Sequence, residues 1–147
     1  ENKWKDYKGI AEQTLNSAMI KTTDRETTRV DHILFAKAKE AIANLRAIRT
    51  CQESYRAEHD VYRECKPSPP KGGTDAKPDP WTDSGGFTEI GFMPDGPVLY
   101  QYAVNVSKDG RSFTATATGD LDENGIKVTY TITNNNPKPI KNPENEY

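Results

Sequence analysis

The chain has 147 residues, 33% of them apolar and 29% charged, with a net charge of −2 at pH 7. That length fits one domain with a single modest core. Its Lys and Arg residues are scattered, not gathered into a stripe, which speaks against a nucleic-acid footprint. No run approaches the roughly 18 apolar residues of a membrane span.

Residues 1 to 62 hold no proline and a single glycine, Gly9, and are rich in Ala, Lys, Glu, Arg and Gln. All of these favour helix. Ala38, Ala41, Leu45, Ile48, Cys51 and Tyr55 recur at steps of three and four, one apolar stripe down a helix. A helix from Asp31 to His59, about 43 Å long at 1.5 Å per residue, is expected, the helical part of the domain reaching residue 62. Trp4, Tyr7, Ala11, Leu15, Ala18 and Met19 form a weaker stripe upstream. "TTDRETTRV" lies between the stripes, and Thr23 with Glu26 fits a capping box. One long helix and two in series both fit; a break near Thr22–Asp24 is the expectation.

Cys51 falls within the helical pattern and Cys65 just past its end. A bridge between them would close a loop of about 15 residues and stabilise by roughly 3 kcal/mol in the chain-entropy model. The alternative is a pair of buried free thiols. The bridge is the expectation, and it requires an oxidising compartment.

Residues 66 to 86, "KPSPPKGGTDAKPDPWTDSGG", carry five prolines and four glycines. They read as a surface loop, pinned by Trp81 or serving as a spacer. Beyond it come three runs of period two, at 98–106, 112–119 and 126–133. Each is a strand with one buried and one solvated face. Asp109-Gly110 marks a hairpin turn. "GFTEIGF", 86–92, offers a short fourth strand, and the proline-bearing tail from 134 on has no periodicity. A helix followed by an antiparallel meander of three to four strands is an α+β plan, with the Ala38–Tyr55 stripe covering the sheet. The expected division is an N-terminal extension over 1–30 and a domain over 31–147, with helix 31–62, loop 66–86, sheet 87–133 and tail 134–147.

"AKAKEAIANLRAIRTCQESYRAEHDVY" resembles the helix segment of type IV pilins and of the pseudopilins of type II secretion. The features are Ala41, Asn44, Leu45, Ala47 and Ile48, then Gln52 and Glu53, then Ala57, Glu58, Asp60 and Tyr62. "FTATATGDLDENG", 113–125, is similar to the strand and loop of such proteins. The resemblance covers roughly residues 36 to 133. It implies a pilin-like fold and a role as structural subunit or assembly component of an extracellular filament or secretion apparatus. It also implies other pilin-like subunits as partners and an extracellular or periplasmic, surface-associated location. The family's apolar anchoring helix would fall near residues 6 to 30, where this chain reads "DYKGIAEQTLNSAMIKTTDRETTRV". That polar segment cannot enter lipid. Either an anchor precedes Glu1, or the segment is replaced, or the chain works as a soluble binding module for a protein or glycan.

"GDLDENG" places Asp120, Asp122 and Asn124 at alternating positions before Gly125, the first half of a calcium loop. Residue 131 is Thr where the remaining acidic ligand would be needed, so a plain turn of Asp, Asn and Gly is the competing reading. Calcium is therefore the one cofactor suggested. Enzyme signatures are missing: His32 and His59 both fall on the helical segment, far apart, and no nucleophile–base pattern or phosphate loop occurs. Asn105-Val106-Ser107 is a sequon of the sort that arises by chance. An exposed Trp81 or Trp4 would mark a partner surface. No enzyme, no nucleic-acid partner and no membrane span within the chain are expected.

Overall fold

The computed structural model describes the backbone of residues 13–144 and the side chains of residues 32–144. Trp4 lies outside the described residues. The chain divides into two compact units, Glu1–Ala36 and Lys37–Tyr147. Helix α1 spans Gln13–His59 without interruption. The break expected near Thr22–Asp24 does not occur. Neither Gly nor Pro stands between Gln13 and His59. Threonine costs only tenths of a kcal/mol in a helix and removes no donor, so a polar, threonine-rich stretch weakens the helix without ending it.

The helix stops where the chain can turn. Asp60 takes the left-handed conformation at φ 67°, and its N–H donates to the Arg56 carbonyl at 2.7 Å. A short Asx side chain tolerates that backbone state better than most. Tyr62 N–H then donates to the Gly110 carbonyl at 2.9 Å, turning the chain back along the sheet.

Five strands follow: β1 Cys65–Ser68, β2 Gln101–Val106, β3 Phe113–Gly119, β4 Val128–Thr133 and β5 Ile140–Asn142. They form one antiparallel sheet in chain order, and α1 packs against it. The three period-two runs are β2 to β4. The two additional strands come from segments that sequence reading assigned to loop and tail. In β1, Pro67 withholds a ladder donor, which an edge strand tolerates. In β5, Thr129↔Asn142, Tyr130↔Lys141 and Thr131↔Ile140 pair across to β4. Residues 87–91 form a turn instead of the strand expected over 86–92. Asp83 holds that turn: its carboxylate accepts from the N–H groups of Gly85, Phe87 and Thr88 and from the Thr88 hydroxyl.

Period-two alternation sorts the sheet faces. Tyr102, Val104, Phe113, Ala115, Ala117, Val128, Tyr130 and Ile132 are all buried. Cross-strand pairs Thr114↔Thr133, Thr116↔Thr131 and Thr118↔Thr129 occupy the opposite, half-exposed face. From α1, Ala38, Ala41, Leu45, Ile48 and Gln52 are buried, the last four at 0% exposure. Phe87, Ile90 and Phe92 from the capped turn complete the core. Fully burying a Leu or Ile side chain is worth about 1.5–3 kcal/mol, so this stripe is the main source of helix–sheet stability.

Leu45→Ala removes the centre of the stripe and is expected to cost about 2–5 kcal/mol. Chemical denaturation measures it. A loss below about 0.5 kcal/mol, typical of surface positions, would mean that the stripe does not face the core.

Candidate functional site

The region where the helix ends is held by polar contacts, not by a covalent staple. Cys51 and Cys65 are free thiols, and the expected bridge is not formed. The residue facing the returning chain is Gln52, not Cys51. Gln52 Nε2 donates to the Arg63 carbonyl at 2.6 Å, and Gln52 Oε1 accepts from Arg63 N–H at 2.9 Å. The same Nε2 lies 3.8 Å from Cys65 Sγ. At 3.6 residues per turn, consecutive helix residues diverge by about 100°, so the position that aims Gln52 inward turns Cys51 aside. Burial pushes the Cys51 thiol up. Burial, reinforced by Asp83 and opposed by Arg63, pushes the Cys65 thiol up to about 12. Both shifts disfavour the thiolate through which oxidation proceeds.

Three further helix side chains, Glu40, Asn44 and Arg49, tie the helix to the sheet and its flanking segments. Both Glu40 carboxylate oxygens accept from Leu99 N–H, at 3.0 and 2.9 Å. Tyr102 OH donates to Glu40 Oε2 at 2.8 Å, and Asn44 Nδ2 donates to Tyr102 OH at 3.1 Å. Arg49 donates to the carbonyls of Thr133 and Asn134, at 3.2 Å each. Burial raises the Glu40 pKa, against the lowering pull of Leu99 N–H, Tyr102 OH and Tyr100 N–H. Burial and the neighbouring Glu40 carboxylate hold the Tyr102 hydroxyl far above its ordinary range. Sequence reading missed all of these ties, although one sign of them was legible. Gln52 continues the 38, 41, 45, 48 spacing with a polar residue, and a polar residue on a buried stripe needs a partner.

The 119–125 loop joins β3 to β4 and brings Asp120, Asp122 and Asn124 together. Asp120 is buried at 5% exposure. Its Oδ1 accepts from Asn124 N–H at 3.2 Å and its Oδ2 from Gly125 N–H at 2.9 Å. Asp122 accepts from Asn124 N–H and Asn124 Nδ2, and Asn124 Oδ1 accepts from Ile126 N–H at 2.8 Å. Glu123, at φ 55°, reaches across to accept from Ala76 N–H at 3.0 Å. These oxygens tie the loop's own amides and anchor the 66–86 segment. Among the described residues no group of three or more His, Cys, Asp or Glu side chains is placed to hold a metal ion.

Trp81 is half-buried. Its ring meets Phe87 edge-on at 5.2 Å and Phe92 at 5.7 Å. That is the pinning role expected of a loop anchor, and it engages the ring within the fold. Gln101 Nε2 donates to the carbonyls of Pro69 and Pro70, fixing the other end of the loop. Beside it lies an open groove of about 350 Å³ lined by Pro69, Pro70, Lys71, Asp79, Pro80 and Thr82. His32 and His59 are both exposed on α1, and His59 stacks on Tyr55 at 4.0 Å. Asn105 is exposed on β2. Among the described residues no helix is long and apolar enough to cross a membrane.

Comparison with known protein families, with curated proteins and with solved structures returns no match.

Two outcomes test these assignments. Because burial raises the Glu40 pKa, the folded chain holds this proton more tightly than the unfolded chain. Glu40 therefore favours folding most below the unfolded value, about pH 4.3. That advantage is lost as pH rises through the folded value, then stays flat. The stability of the native chain relative to Glu40→Gln is expected to fall with pH over this window. A difference that grows instead would mean that the hydrogen bonds outweigh burial. For the loop, Asp120→Ala is expected to lose about 1 kcal/mol or more, as a buried hydrogen-bonding group does. The loss should be equal in calcium and in chelator. A calcium-dependent rise in native Tm that the variant lacks would instead assign Asp120 to a bound cation.

Proposed function

We propose that this chain is a structural subunit or assembly component of an extracellular type IV pilus-like filament or secretion apparatus, acting by association and not by catalysis. The observation that supports this reading is the division of labour along α1. The helix runs for 47 residues, and its buried positions among the described residues lie between Ala38 and Gln52. Just upstream of that stripe, among the described residues, the helix presents Ile33 and Phe35 as exposed apolar side chains, the kind of surface that another subunit covers. The pilin-like features of the sequence coincide with that plan. Leu45 and Ile48 of the helix motif sit in the core, and "GDLDENG" forms the connection between adjacent antiparallel strands. The titratable groups described above are engaged in capping turns and tying elements, as suits a structural module.

A second reading is supported by the proline-lined groove of the 66–86 loop. In it the chain is a secreted or membrane-anchored pilin-fold binding module, contacting a protein or glycan through this loop.

Cells that carry the chain can be sheared and fractionated, then probed with antibody against residues 37–147. The first reading predicts the chain in the high-mass sheared or envelope-assembly fraction, digestible by protease added to intact cells. It also predicts that a photo-crosslinker at Ile33 captures another copy or another pilin-like subunit. Recovery solely as a free monomer would overturn it, and in that case capture from a Lys71 crosslinker would favour the groove-binding module.

A further inference from the structure

Asn124 is the one asparagine in the chain that precedes a glycine. With no Cβ on Gly125, nothing on that residue shields its backbone nitrogen from the neighbouring carboxamide. Gly125 sits at φ 85°, and a Cβ built there would meet nothing within 4 Å, so the peptide is open on that side. Asn124 is itself exposed. The surrounding hydrogen bonds match what a reaction between these two groups needs. The Gly125 N–H donates to Asp120 Oδ2 at 2.9 Å, which gives the nucleophile a carboxylate able to take its proton. The Ile126 N–H donates to Asn124 Oδ1 at 2.8 Å, where negative charge would build during attack on the amide carbon. Asp120 is nine-tenths buried, so its carboxylate is held in place instead of being free to rotate into water.

We propose that Asn124-Gly125 is a self-modification site at which the Gly125 nitrogen attacks Asn124 Cγ, assisted by Asp120. In the first step the N–Cγ bond forms, the Gly125 proton passes to Asp120 Oδ2, and the Ile126 N–H holds the charge on Oδ1. Collapse breaks the Cγ–Nδ2 bond. The leaving nitrogen takes the proton back from Asp120 and departs as ammonia, leaving a succinimide. One water then opens the ring to aspartate or, by the other bond, isoaspartate. No oxidant or reductant takes part. The product carries a carboxylate beside Asp120 and Asp122 and loses the Asn124 Nδ2 donation to Asp122. The loop between β3 and β4 is therefore weakened by like-charge repulsion once the reaction has occurred.

The full chain and a synthetic peptide of residues 117–129 are incubated side by side at neutral pH and one temperature. Succinimide and acid products are followed by mass spectrometry with peptide mapping. The folded chain is expected to convert at Asn124 at least several-fold faster than the peptide, which has the same sequence but no fixed carboxylate. Asp120→Asn, which keeps an acceptor and removes the base, should bring the rate down to that of the peptide. A folded chain that converts no faster than the peptide overturns the proposal, whether or not the variant folds. A folded Asp120→Asn variant with an unchanged rate overturns the role of Asp120.

Discussion

The buried stripe of α1 is the constraint on which the rest of this structure depends. A five-stranded sheet with one apolar face cannot remain uncovered in water, and Ala38, Ala41, Leu45, Ile48 and Gln52 supply the cover. Apolar burial is non-directional, so it does not by itself fix how the helix sits. The polar ties do that. Glu40 and Asn44 engage the start of β2, Arg49 the end of β4, and Gln52 the approach to β1. Each is satisfied only in one register, and leaving such a group unpaired costs about 1–3 kcal/mol.

A second rule governs the connections. Side-chain carboxylates hold the turns among the described residues. Asp83 caps the turn at 87–91, Asp109 accepts from Ser107 OH and Arg111 N–H in the hairpin, and Asp120 gathers the amides of the β3–β4 loop. For Asp83, burial opposes the effect, yet the donations from Thr88, Gly85 and Phe87 still leave its carboxyl below the usual range. For Asp109 the Ser107 hydroxyl and the Arg111 amide do the lowering. A chain that is 29% charged can hold a compact core in this way, because part of its charge organises backbone instead of merely facing solvent.

What the sequence made legible follows from how each signal is generated. Periodicity is produced by burial on one face, so the stripe on α1 and the strands β2, β3 and β4 could be read directly. The edge strands could not. Cys65–Ser68 contains Pro67 and Ile140–Asn142 lies between prolines, and both pair on one side only, which leaves no alternating pattern to find. Cys51 fits the stripe by spacing, yet its neighbour Gln52 takes the inward position. A one-residue difference in helical phase was enough to replace an expected disulfide with a side-chain amide clasp. The threonines near residue 22 suggested a boundary through their lack of apolar neighbours and the Thr23–Glu26 capping pattern, but with no glycine or proline between Gln13 and His59 to divert the backbone, that pattern does not end the helix.

Amide hydrogen exchange at Leu99 and Arg63 tests the central claim most directly. Both amides precede strands instead of lying within a ladder, and each donates to a helix side chain, Glu40 and Gln52 respectively. If the polar ties fix the helix on the sheet, both amides exchange with protection approaching that of the β2–β4 ladder, and Gln52→Ala releases Arg63 while leaving the ladder protected. Exchange of Leu99 and Arg63 at the rate of open loop amides in the native chain would contradict the account.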